Sequence, residues 1–349
     1  MKNIKTIFLA LTFLTIILFS LIYLSSCDEG PTEPEIEPGR RDYVWEVDTL
    51  KMPFFSSLHR IWGSNENDVW AVGPGGDLSN TIYHYDGEEW TTDGISRGIS
   101  PISIWGFASN NVWIGGLEGR IWHFDGTDWK ENFRLPHPQF LFSGFMDIYG
   151  DQPNDVYAVG FVDSTDGRKG MIFHYDGVEW ESVNIVSTHT TLARIKRGLK
   201  TSKNYFIRGI VENDWAEDTT KILMFDGKKL IEIYSAIDTK DKTNFIQNIN
   251  DEMIFVIGYS LNKYYKSQFV KFYDINESNF GIQIFGRSLK DIFLGMKGGI
   301  AHYNGNNIQY LIEIDENRVS EFTAFEKNVF FLAYDFNKGL NLVYKGTIK

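Results

Sequence analysis

A single cysteine, Cys27, stands among 349 residues, which excludes an intramolecular disulfide and any multi-cysteine metal site. Basic residues are also few, 34 Lys and Arg against 46 Asp and Glu, for a formal net charge of −12. A surface of that sign repels nucleic acid and anionic headgroups unless bases cluster locally, so nucleic acid is not an expected partner. Catalytic signatures are missing as well. There is no HExxH, no GxSxG and no phosphate-loop glycine pattern, and His59, His137 and His189 show no ligand spacing. No catalytic residue, metal or cofactor is assigned. What the chain has in quantity is apolar and aromatic side chains, 43% and 15%, enough for a large core in one main domain.

The lone cysteine is explained by its surroundings. Lys2 and Lys5 precede an apolar run from Ile7 to Tyr23, followed by Leu24-Ser25-Ser26-Cys27. This resembles the lipobox of bacterial lipoproteins, which implies a signal peptide over 1–26, acylation at Cys27 and permanent tethering, since several acyl chains anchor far more firmly than one. Asp28 and Glu29 directly after the cysteine resemble the surface-export signal of Bacteroidetes lipoproteins, while an Asp there also resembles an inner-membrane retention signal of proteobacteria. The expected location is the bacterial cell envelope, at the outer membrane or cell surface. Residues 27–41 hold three prolines and five acids with one apolar side chain, Ile36, and read as an extended spacer. The folded domain is expected over 42–349.

Within that domain one pattern recurs. The stretch Ile61 to Trp90, IWGSNENDVWAVGPGGDLSNTIYHYDGEEW, is followed by copies at Ile104 to Trp129 and Ile148 to Trp180. Later copies decay but stay legible: Tyr205–Gly209 with Leu223–Gly227, Ile254–Gly258 with Val270–Asp274, Asp291–Gly295 with Ile300–Gly305, and Asn328–Leu332 with Leu342–Gly346. In each copy the Leu58–Trp62, Asp68–Val72, Thr81–Tyr85 and Trp90 equivalents read as strands a to d, and Asp-Gly reads as a two-residue hairpin turn between c and d. Seven units of roughly 40 to 50 residues match the period of four-stranded propeller blades. Runs such as VWAVG and IFVIG, apolar on both sides, fit sheets packed between two neighbours. The seventh unit lacks strand d. Tyr43 to Val47, with Trp45 in the place of Trp90, is expected to supply it and close the ring. The expected class is therefore all-β, a single seven-bladed β-propeller.

These WGS…NDVWAVG…HYDG…W units resemble bacterial β-propeller repeat proteins, themselves distantly similar to the Asp-box repeats of sialidase-like propellers. The resemblance covers nearly all of the domain and specifies a fold. Asp86, Asp125 and Asp176 sit where turn chemistry requires a small polar residue. His84, His123, His174 and His302 recur at one blade position, which points to packing or hydrogen bonding within each blade. No arginine set matching a sialidase triad can be placed.

Function is then expected in what the repeat leaves out. Loop aromatics Phe140, Trp215, Tyr264 and Tyr265 are candidates to stack on sugar rings or to anchor a protein partner, on connections b to c and d to a of one face. Arg194, Lys196, Arg197 and Lys200, with Lys203, form the one basic cluster, a candidate patch for an acidic ligand. The expected role is a non-enzymatic binding or scaffold module with a protein or glycan partner. The alternative is a carbohydrate-active enzyme, which needs two converging carboxylates; Asp163, Asp166, Glu212 and Asp214 are the acids placed for it.

Overall fold

The computed structural model describes residues 39–349 except 53–55, 76–78, 137–141, 187–188, 200–201, 214–215, 240–241 and 315–316. Among these, all strands fall into seven four-stranded antiparallel sheets, six of them sequential from inner strand a to outer strand d. Blade 1 comprises Arg60–Asn65, Asp68–Val72, Ile82–Tyr85 and Trp90–Thr91. Six sheets follow in chain order, and apolar clusters join each to the next. A further cluster, with Ile61 and Tyr83 of blade 1 and Phe330 and Leu332 of blade 7, completes the circle.

Ring closure follows the expected register. Asn317–Ala324, Asn328–Asp335 and Leu340–Ile348 form strands a to c of blade 7, and Tyr43–Leu50 is its strand d. Trp45 lies opposite Gly346, as Trp90 lies opposite Tyr85 in blade 1. A Cβ at Gly346 would stand 2.7 Å from the Trp45 ring, so the missing side chain makes room for the closing indole. The described chain reaches slightly further back. Gly39 N–H donates to Lys290 O at 2.8 Å, and Arg41 donates to Asn307 Oδ1 at 2.8 Å, both on blade 6.

The repeated residues divide the work of wedge packing. Strand b of blade 1 is buried along its whole length, as a sheet pressed from both sides must be. The glycine of the I-W-G motif receives an aromatic from the preceding blade. A Cβ at Gly106 would meet Trp62 at 2.4 Å, one at Gly150 would meet Phe107 at 2.7 Å, and one at Gly63 would meet Phe325 at 2.7 Å. The recurring histidine ties strand c to the start of strand b. Nε2 of His84 donates to Asp68 at 2.7 Å, that of His123 to Asn111 at 3.0 Å, that of His174 to Asp155 at 2.8 Å and that of His302 to Asp291 at 2.7 Å. Each imidazole also packs on the strand b aromatic, with ring centroids 4.1 Å apart for Trp70 and His84 and 4.0 Å for Trp113 and His123.

Two local expectations are corrected. The Asp-Gly turns are four-residue loops, with Tyr85 paired to Trp90 across Asp86 to Glu89. Asp86 Oδ1 accepts the N–H groups of Glu88 and Glu89, each at 2.9 Å, and only the glycine has positive φ, 102° at Gly87. Side-chain capping thus does what a two-residue turn would do with two strained residues. In blade 5, Val270 to Asp274 belongs to strand d, Gln268–Asp274, while strand c is Ser260–Tyr265. The turn between them is Lys266-Ser267, with φ of 48° and 62°. That conformation ordinarily selects Gly or Asn, so nothing in the sequence marks the turn.

Candidate functional site

The inner strands place one side chain at the same register in blade after blade. Arg60, Ser103, Asp147, Arg194, Asn244 and Glu321 pair with equivalent positions of strand b, namely Val72, Gly115, Val159, Arg208, Ile257 and Leu332. Each precedes the apolar residue that packs between blades; Arg60, Asp147, Arg194 and Glu321 of this register face the ring axis, whereas Ser103 bonds to the Phe145 carbonyl and Asn244 to Thr220. Here a cavity of about 310 Å³ is lined by all seven blades. Its charged groups are Arg60, Arg194, Lys196, Asp147 and Glu321, with Gln247, Asn248 and Thr323 as neutral polar neighbours; its walls include Trp62, Trp105, Tyr149, Phe285 and Phe325. Ala324 and Phe325 stand at the end of their inner strand, so the cavity lies toward the face where strands a turn into strands b.

Charges inside a low-dielectric ring persist only when paired. Arg194 of blade 4 bonds to Glu321 of blade 7, directly across the axis. Lys196 Nζ lies 3.1 Å from Asp147 Oδ2, which also accepts the Ile195 N–H at 2.9 Å. Lys196 further stands over the Tyr149 ring at 5.1 Å, and Arg194 over Phe245 at 4.5 Å. Arg60 Nε is 3.9 Å from Glu321, too far for a hydrogen bond. The titration shifts follow. Burial pulls Lys196 below its ordinary value, Asp147 opposing it, and pulls Arg60 down in the same way. Burial also works against charge on Arg194, yet Glu321 and Asp147 carry it above its ordinary value. Arg208, behind this layer, is pushed down to about 10 by burial.

The basic cluster therefore does not form a surface patch. Strand alternation sends Arg194 and Lys196 to the axis, both buried, while Arg197 pairs with Asp151 at the strand end. Lys200 lies outside the described residues, as do Cys27, Phe140, Trp215 and Asp214. Arg60, Asp147 and Glu321 were not among the sequence candidates. They share with Arg194 one register just before the I-W-G core, where other blades carry Ser103 and Asn244, and this becomes visible once the blades are aligned.

Tyr264 and Tyr265 are brought together, but not on the expected face. They end strand c of blade 5 beside the c to d turn, whereas the sequence put them in a b to c loop. With Leu199, Phe206, Met253 and Val270 they line a separate apolar cavity of about 460 Å³ between blades 4 and 5. Tyr264 packs on Phe269 with centroids 5.0 Å apart, and Tyr265 is 62% exposed.

On the opposite face Asp163 and Glu212 do converge, in a cavity of about 440 Å³. Arg168 sits between them, 2.7 Å from Asp163 Oδ1 and bonded to Glu212, its guanidinium stacked 4.1 Å above Phe161. That guanidinium fills the space a glycosidic bond would need between an acid and a second carboxylate. Asp163 to Gly170 is a strand-extended hairpin across Ser164–Gly167, where the sequence suggested a loop. Asp166 pairs with Lys169 at 3.2 Å, outside this constellation. Among the described residues, no cluster of three His, Cys, Asp or Glu side chains could hold a metal ion.

No known family profile matches the chain. Over 127 residues, 34% of its length, it is 27% identical to "Protein Rv3035" of Mycobacterium tuberculosis, a match spanning 30% of that protein. Among solved structures it is similar to "YCF48 bound to D1 peptide", with a TM-score of 0.61 and 14% identity over 88% of this chain and 99% of that one. It is similar also to the WD40 β-propeller domain of Doa1, with a TM-score of 0.60 and 11% identity over 88% and 98%. At such identity the likeness is one of fold. The chain is a seven-bladed β-propeller with a charged axial cavity.

Proposed function

We propose that this propeller is a lipid-tethered scaffold of the bacterial envelope that binds a polypeptide partner at the axial cavity. The observation that carries the reading is the cavity itself: seven blades converge charged and aromatic side chains on one small volume, the usual make-up of a recognition site. A polypeptide is favoured over a glycan because the neutral polar side chains Gln247, Asn248 and Thr323 are outnumbered by the five charged groups and the aromatic walls. That a propeller of matching fold has been solved with a peptide agrees with this choice. The tether rests on the lipobox-like Leu24 to Cys27, and the envelope location on that tether.

The test is co-purification of the full-length protein from bacterial membranes. Ala324→Tyr, at the cavity mouth, is expected to lose the partner while its melting temperature holds. Retention of the same partner contradicts an axial site. Cys27→Ala is expected to abolish incorporation of a palmitate analogue and release the protein from membranes; continued labelling contradicts acylation at that position.

A further inference from the structure

The axial cavity is built with donors in excess of acceptors. Its charged lining comprises three cations, Arg60, Arg194 and Lys196, and two carboxylates, Asp147 and Glu321. One positive charge is left over inside a protein whose net charge is strongly negative. Two buried N–H groups of residues lining the same cavity, Arg60 Nε and Trp105 Nε1, have no hydrogen-bond partner among the described residues. Buried donors are ordinarily satisfied, and each one left bare is costly, so a site that keeps two of them beside an uncompensated cation is shaped for an acceptor. Lys196 reinforces the point. It is 7% exposed, and among the described residues its three-proton ammonium bonds to Asp147 alone.

We infer that the axial cavity binds a single carboxylate carried on an apolar stem, and that the carboxylate is the C-terminus of the partner polypeptide. This rests on the scaffold reading above and names the chemistry of its site. The charge count selects a monoanion: one negative charge balances the excess, whereas a dianionic phosphate would reverse it. The walls select the stem. Trp62, Tyr149, Phe285 and Phe325 form apolar faces around the donors, suited to a terminal side chain. The volume of about 310 Å³ is at the small end of ligand sites, which fits a chain end better than a continuous strand passing through. Arg60, Trp105 and Lys196 supply hydrogen bonds to the two oxygens, and Arg194 remains on Glu321.

The test is a display library of randomised hexapeptides with free C-termini, selected against the full-length protein. Enriched peptides are expected to share an apolar last residue. Amidating that terminus is expected to weaken binding by at least about tenfold, the scale of one charge-assisted hydrogen bond. Arg60→Gln is expected to do the same. Trp105→Phe, which deletes only the indole N–H, is expected to cost about threefold with the melting temperature unchanged. Galacturonate, a sugar monocarboxylate, is expected to compete poorly. An empty selection, equal affinity of acid and amide, indifference to both substitutions, or Arg60-dependent capture of galacturonate in place of peptide each overturns the inference. Peptides that bind equally as acid and amide yet are excluded by Ala324→Tyr overturn the carboxylate while leaving the scaffold reading standing.

Discussion

Arg194 and Glu321 lie 127 positions apart in sequence and hydrogen-bond to each other across the ring axis, joining blade 4 to blade 7. Both side chains are at most one tenth exposed. The bond spans the axial cavity, and it fixes how the remaining axial charges can be used.

Removing one partner strands the other. Glu321→Ala leaves Arg194 and Arg60 without their shared carboxylate and is expected to destabilise the fold by about 3 to 5 kcal/mol, measured by urea denaturation. Replacing both partners, Arg194→Met with Glu321→Leu, is expected to recover part of that loss, because an apolar pair avoids desolvating two charges while Arg60 still lacks its carboxylate. Equal losses in the single and double variants contradict the cross-axis pairing.

Ring closure depends on Tyr43–Leu50. Trp45→Ala is expected to cost about 2 to 3 kcal/mol, somewhat below a fully buried tryptophan, since the indole is only partly covered. Deleting residues 42–48 removes the ladder itself, and a large fall in melting temperature is expected. An unchanged melt would show that the ring holds without the clasp of Tyr43–Leu50 on Leu340–Ile348.

The repeated histidine clamp can be tested by borrowing from another blade. Asp68 accepts bonds from His84 at 2.7 Å and Trp70 at 3.2 Å, and Asn111 does the same for His123 at 3.0 Å and Trp113 at 2.9 Å. Asp68→Asn is therefore expected to change stability little. Asp68→Ala is expected to lose about 2 to 3 kcal/mol, because the donors of His84, Trp70 and Ser64 lose their acceptor. Similar losses for both would mean that charge, not acceptor geometry, holds the clamp.

Acidification is expected to weaken the fold through His302 and Asp291. Arg41 Nε donates to His302 Nδ1 at 3.3 Å, and Nε2 donates to Asp291, so the ring is held neutral. Burial lowers the His302 value below its ordinary 6.5, Asp291 opposing it. The unfolded chain then binds a proton first, and stability is lost as pH falls from about 6.5 through the folded value. Asp291, also held below its ordinary value although burial works against it, acts with the same sign at lower pH, because His302 and Arg287 favour its charged form. His302→Gln is expected to flatten the dependence between about pH 7 and 5 in denaturation titrations, with His123 retaining a residual slope of the same sign. An unchanged profile contradicts this assignment.

The fold was legible because blades repeat, and each repeat reports the same packing. Trp45 opposite Gly346 could be placed by analogy with Trp90, and the Asp and His positions could be given structural roles because they recur. The axial site was harder to see for the same reason. Arg60, Asp147 and Glu321 differ in type at one shared register, so no motif joins them, and they meet only when the ring closes. Arg194 and Lys196 stood out as bases, but one-dimensional crowding did not show that strand alternation turns them inward. Tyr264 and Tyr265 were misplaced because Lys266-Ser267 turns the chain without glycine.

The most direct test of an axial site is photocrosslinking in intact cells, with benzoylphenylalanine replacing Phe325 at the cavity or Val178 on an exposed outer hairpin. Capture of one discrete polypeptide from Phe325 and none from Val178, with the crosslink mapping to the partner's last residues, is the expected result. Capture from Val178 alone, or from neither position, would contradict it.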